Sequence, residues 1–202
     1  MKLAAKLTLV ILLLLALLLN LGAAWLIGSG FSAQLQAAAQ QNVAVHRAEC
    51  YQLQKAMIET PNLETQPPLV VLYGQQRTAQ AGVGLAILSV ERAFLYSGTG
   101  MENGWQPVLR ALDAGEDGMT YAQEGAKVWQ LFASPVQWQG RTLWLVSSCD
   151  VSSVFQLRNQ QLAGFARLEL IAFAGVALAV WAVSRRLTRP LKALEESARA
   201  IA

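Results

Sequence analysis

Apolar positions gather in two long runs, and the polar stretch between them reads first as helix and then as strands. The first run, Leu7 to Ile27, carries no charge over about 21 residues, enough to cross a hydrocarbon core of ~30 Å at ~1.5 Å per residue. The second, Leu170 to Val183, is uncharged over about 14 residues. Arg167 and Glu169 stand near its outer end, where long side chains can reach the interface, and Leu162 to Phe165 extend its apolar face. Both runs predict membrane helices. A cleaved signal peptide ending at Leu21-Gly22-Ala23-Ala24 is the alternative for the first. The apolar run passes that site through Trp25, a natural interface anchor, to Ile27, which argues against cleavage. Asn20, the polar residue of this run, is placed to hydrogen-bond to another helix.

Gly28-Ser29-Gly30 is expected to loosen the exit from the first span. A helix is predicted from Phe31 to about Glu59, with Leu35, Ala39, Val43, Cys50, Leu53 and Met57 as its apolar stripe and His46 on the same line. Pro61 stops it and Pro67-Pro68 opens the next segment, where Leu69 to Tyr73 is a short apolar run and the period leaves that of a helix. Gly84 to Val90 and Ala93 to Ser97 read as a hairpin about Glu91-Arg92. Trp105 to Leu112 reads as a short helix closed by Gly115 and Gly118. The clearest element is a hairpin of Lys127 to Trp138 and Arg141 to Ser148 about Gln139-Gly140, which sets Val136 opposite Leu143 and Pro135 opposite Trp144. Its apolar residues fall on both faces, as in a sheet covered on both sides. Asp150 can cap a helix that starts at Val151 and runs into the second span. The order predicts an α+β domain over residues 29–164, an antiparallel sheet with a long N-terminal helix, held between two membrane helices at residues 1–28 and 165–184.

Charge orients this layout. Lys2 and Lys6 precede the first span, and Arg185, Arg186, Arg189 and Lys192 follow the second, so both ends are expected on the cytoplasmic side of a cell membrane and the middle outside. The net charge of +3 comes from these flanks, because residues 29–164 hold eight Lys/Arg against ten Asp/Glu. The basic balance therefore reports topology and gives no reason to expect nucleic acid as a partner.

Two stretches resemble known families. Leu131-Phe132-Ala133-Ser134-Pro135-Val136 and Trp144 to Ser152 resemble the end of the PAS-like (Cache or PDC) extracytoplasmic sensor domain of bacterial sensor histidine kinases. Residues 185–202 carry a heptad seam of Leu187, Leu191, Leu194, Ala198 and Ile201; with Arg189-Pro190-Leu191, Pro190 lying near the helix start, it resembles the first helix of a HAMP linker. The resemblance implies a homodimer that takes an extracytoplasmic ligand and signals through a kinase to a response regulator. A chemotaxis receptor and a non-signalling membrane-anchored binding protein are the alternatives. No phosphotransfer or ATP-binding segment is legible, so the chain is expected to be the input half of a receptor, without a catalytic domain of its own and with a protein-histidine kinase as its parent. Sensor domains of the resembled family bind small ligands against the sheet, where Arg92, Arg110 and Arg141 could meet an anionic group.

His46 and Cys50 form an i, i+4 pair of a kind that can bind metal, but with one histidine and two cysteines in the chain no further ligand cluster is visible. Neither a metal nor a cofactor is expected. Helical rise sets Cys50 about 30 Å above the first span and Cys149 about 28 Å above the second, so a Cys50–Cys149 disulfide is a candidate.

Overall fold

The structure, a computed structural model, describes residues 2–100, 105–113 and 118–199; for 2–12, 15, 105, 106, 111, 118 and 184–199 it describes the backbone alone. Among these residues are four α-helices, a 3-10 turn and one five-stranded sheet. Helix α1 runs from Lys2 to Glu59, α2 from Pro67 to Ala81, α3 from Trp105 to Asp113 and α4 from Ser152 to Arg199. The strands are β1 (Gly84–Leu88), β2 (Phe94–Gly98), β3 (Gly118–Glu124), β4 (Lys127–Trp138) and β5 (Arg141–Asp150). All four strand pairings are antiparallel, in the order β2-β1-β5-β4-β3.

The chain divides into two compact units. One, Gly28–Leu157, contains the sheet. The β4–β5 register pairs Val136 with Leu143 and Pro135 with Trp144, as the apolar pattern predicts. Gln139 and Gly140 both take positive φ (49° and 79°), the geometry of a two-residue turn whose twist matches its strands. The sheet is covered on both faces. On one, Leu53 and Met57 of α1 and Val70 of α2 pack with Leu85, Ile87, Val136, Leu143 and Leu145. On the other, Val108 and Leu112 of α3 pack with Ala86, Leu88, Leu131, Ala133 and Val146. Asp150 Oδ1 accepts from the Ser152 amide at 2.8 Å, so α4 begins one residue beyond the expected Val151.

Two readings are corrected and one strand was missed. Leu69 to Tyr73 lies inside helix α2: Pro67 supplies the fixed φ that suits a first helical turn, and Val70, Gly74 and Arg77 give the 3.6-residue spacing of its inner face. Gly28-Ser29-Gly30 does not break α1, which is one helix through that point. Strand β3 was not legible, because its Met119, Tyr121 and Gln123 alternate with Thr120, Ala122 and Glu124 and form no apolar run at the sheet edge.

The second unit joins the residues up to Ile27 with those from Arg158 on. Its helices expose Leu17, Leu18, Leu21 and Trp25 on one segment and Leu168, Leu170, Ile171 and Leu178 on the other. Both are long and apolar enough to cross a membrane. Asn20 Nδ2 donates to the Ala16 carbonyl at 2.9 Å and also to a carboxylate oxygen of Glu169, joining the two segments.

Candidate functional site

Helix α1 lies against the sheet through polar groups as well as apolar ones. His46 is 2% exposed. Its Nδ1 is 2.8 Å from Ser147 Oγ on β5, its Nε2 is 3.0 Å from Ser134 Oγ on β4, and Cys50 Sγ is 3.5 Å from the same Nε2. The Phe132 ring stacks on the imidazole with centroids 5.7 Å apart. The local reason is register: Ser134 and Ser147 share the face of β4 and β5 that carries Val136, Leu143 and Leu145, so α1 meets two hydroxyls where its stripe presents His46. A buried hydroxyl or imidazole without a partner is costly, and here each closes on the other.

Polar pairs flank this histidine along α1. Toward the Gly28 end, Asn42 Nδ2 donates to Gln130 Oε1 at 2.8 Å, and Gln130 Nε2 donates to Tyr121 Oη at 3.0 Å. Toward the Glu59 end, the Glu49 carboxylate takes two hydrogen bonds from Arg77 of α2, at 2.9 Å from Nε and 2.6 Å from Nη2. The Glu49 hydrogen bond raises the Arg77 pKa above its ordinary value. Tyr73, one turn before Arg77 on α2, has its hydroxyl buried without a hydrogen-bond partner, and burial pushes its phenol well above the ordinary range. Gln54 Nε2 adds a tie to the Gln137 carbonyl at 3.1 Å.

Of the three arginines expected to face a common anion, Arg141 lies on the α1 side of the sheet, and Arg92 and Arg110 lie with α3 on the other. Arg92, in the β1–β2 turn, pairs with Asp113 at the end of α3 at 2.6 Å, both side chains exposed. Arg141 begins β5 and pairs with Glu64 of the 3-10 turn at 3.6 Å, on the α1 side of the sheet. Arg110 is exposed on α3. Cys50 and Cys149 are not joined by a disulfide, so the candidate bridge is not formed. They flank His46 from opposite sides. Cys149 is two residues beyond Ser147 and opposite Gln130, whereas Cys50 is one helical turn toward Leu53, which separates them by on the order of 10 Å along the interface. Equal rise from the membrane spans did not anticipate this, because β5 continues to Asp150 and carries Cys149 to the end of the strand. Burial pushes the Cys149 thiol from 9.0 up to about 11.

Of the linker seam, Leu187, Pro190, Leu191, Leu194 and Ala198 lie within α4, which continues through Pro190 instead of starting beside it. Ile201 lies outside the described residues. Among the described residues no group of three or more His, Cys, Asp or Glu is placed to hold a metal ion. The arrangement is a set of satisfied polar ties between one helix and a sheet, suited to fixing the position of α1. Sequence reasoning singled out His46 and Cys50 but missed Ser134, Ser147, Gln130 and Arg77. The available signal was polar residues inside strands that are buried on both faces, since such groups must find partners. No protein-family model matches the chain, and no curated protein matches it significantly.

Proposed function

We propose that the chain is a membrane-bound, signal-sensing input region of the two-component sensor histidine kinase type, with a PAS-like domain outside the membrane and the seam of α4 as its HAMP-type output. One observation carries this reading. The helix that enters the sheet domain and the helix that leaves it are each continuous with a segment apolar enough to cross a membrane. A rearrangement of the sheet against α1 or at the start of α4 therefore acts on a helix that continues into such a segment. The five-stranded antiparallel sheet with the long N-terminal helix on one face supports the PAS-like assignment. Leucines and tryptophans exposed on both end segments support the membrane. A stimulus acts by binding two arrangements of a homodimer with different affinity, because equal affinity shifts nothing.

The test is a fusion of the whole chain, at Ala202, to the catalytic half of a histidine kinase. Leu194→Glu or Ile201→Glu, on the seam, should abolish regulated output, and Ala193→Glu, off the seam, should leave it. Equal effects at both kinds of position contradict the HAMP-type output.

A further inference from the structure

Asn20 and Glu169 join the two apolar segments through polar atoms: Asn20 Nδ2 donates to Glu169 Oε1 and also closes on the Ala16 carbonyl of its own helix. This contact sets the two residues at one level, and equal rise along both helices then aligns the rest. Ile27, seven residues beyond Asn20, meets the level of Leu162, seven residues before Glu169, and Leu7 meets the level of Ala182. Residues 7–27 therefore lie against residues 162–182, a stretch of equal length, about 30 Å. Two features agree with this alignment. Lys6 comes level with Val183, two residues from Arg185, so the basic flanks of both segments meet at one end. On α1, Ala16, Ala23 and Ile27 are half-buried between exposed neighbours and share the helical face of Asn20; on α4, Phe165 and Val176 are half-buried on the face of Glu169. Small residues on such a face let two helices approach closely.

By hydropathy alone, the uncharged part of the second segment, residues 170–183, is about 21 Å long at the same rise, short of a hydrocarbon core of ~30 Å. We propose that the Asn20–Glu169 hydrogen bond is an intramembrane register key: it aligns residues 162–182 with residues 7–27, seats Glu169 about 10 Å inside the outer surface of the hydrocarbon, and sets the resting position of α4 along α1. The proposal rests on the membrane reading above and moves the outer boundary of the second span from residue 165 to residue 162. An unmatched carboxylate at that depth is costly, and Asn20 is the donor that meets it. Arg167, exposed and about 7.5 Å below the same surface, keeps its charge near water through its long stem. Sliding α4 by one turn, ~5.4 Å, breaks the contact in either direction, because it brings Phe165 or Phe173 to the level of Asn20 instead.

The test uses the full chain in lipid nanodiscs, with Cys50 and Cys149 replaced by alanine. Ile27→Cys is combined in turn with Arg158→Cys, Leu162→Cys or Phe165→Cys, which stand about one turn apart on α4. Mild oxidation is followed by mass spectrometry of the bridged peptide from the monomeric band. The bridge should form with Leu162→Cys at least about five-fold more than with either neighbour, the ratio that one such hydrogen bond supplies in a membrane. Glu169→Leu should erase that preference, and Glu169→Gln, whose amide oxygen still accepts from Asn20, should keep it. Equal bridging at the three positions, or a preference that survives Glu169→Leu, overturns the key. Should Glu169→Leu fail to insert, Asn20→Leu takes its place with the same two outcomes. Depth is read separately with a water-borne maleimide on single cysteines at exposed positions of α4. Leu168→Cys should be protected like Leu178→Cys, and Asn159→Cys should be labelled. Labelling of Leu168→Cys with Leu178→Cys protected overturns the intramembrane placement and leaves the membrane reading standing. Labelling of both contradicts the membrane reading itself.

Discussion

At the scale of single residues, the polar contacts between α1 and its neighbours are closed pairs whose members depend on one another. Glu49 is 5% exposed and meets Arg77 through two hydrogen bonds. Arg77→Met leaves that carboxylate buried and unmatched, and should cost about 2–4 kcal/mol in equilibrium unfolding, whereas Lys55→Met, at an exposed helical pair, should cost under about 0.5 kcal/mol. The cysteines should separate chemically. Cys149 is 5% exposed with its thiol pushed up to about 11, so an alkylating reagent should modify the half-buried Cys50 first and reach Cys149 only on unfolding. Because the fold favours the protonated Cys149 thiol, its contribution to stability is present below about pH 9 and fades as pH rises toward 11. Cys149→Ala should flatten that loss in denaturation curves at pH 8 and pH 10.5. His46 and Cys50 were legible because they interrupt an apolar stripe; their serine partners were not, because a serine within a strand carries no sign of which face it shares with a helix.

At the scale of elements, backbone geometry decides where apolar pattern is silent. The β4–β5 hairpin was readable to the residue because a glycine-containing two-residue loop between β-rich runs fixes its register. Gly140→Val forces a β-branched side chain to φ near 79° and should destabilise the domain by about 1–2 kcal/mol, measured by chemical denaturation. Helix α2 was misread because its first five apolar residues resemble a strand; only the polar continuation through Ala81 reveals the helical face. That face packs closely on β2. A side chain at Gly74 overlaps the Tyr96 ring, whose hydroxyl meets Thr78 Oγ1 at 3.0 Å. Gly74→Ala should therefore destabilise the fold despite the higher helix propensity of alanine, and Tyr96→Leu should partly rescue it. Edge strand β3 escaped detection for the opposite reason, since half of it faces solvent and alternates without an apolar run.

At the scale of the whole molecule, the sequence shows the bracketing layout through length and hydropathy, and the structure adds the continuity of α1 and α4. It also adds the hydrogen bond from Asn20 to Glu169 within the helical unit. A polar contact of this kind in a membrane is worth about 1 kcal/mol, enough to favour one register of two helices and too little to hold them alone. The central proposal is that the sheet domain and the two chain ends face opposite sides of one membrane, and side-specific labelling tests it most directly. With Cys50 and Cys149 replaced by alanine, a cysteine is introduced at exposed Gln139 or at Ala202 and treated in intact cells with a membrane-impermeant maleimide. The account predicts that Gln139→Cys is labelled in intact cells and that Ala202→Cys is labelled only after permeabilisation. Labelling of Ala202→Cys from outside, or protection of Gln139→Cys until the membrane is opened, contradicts it.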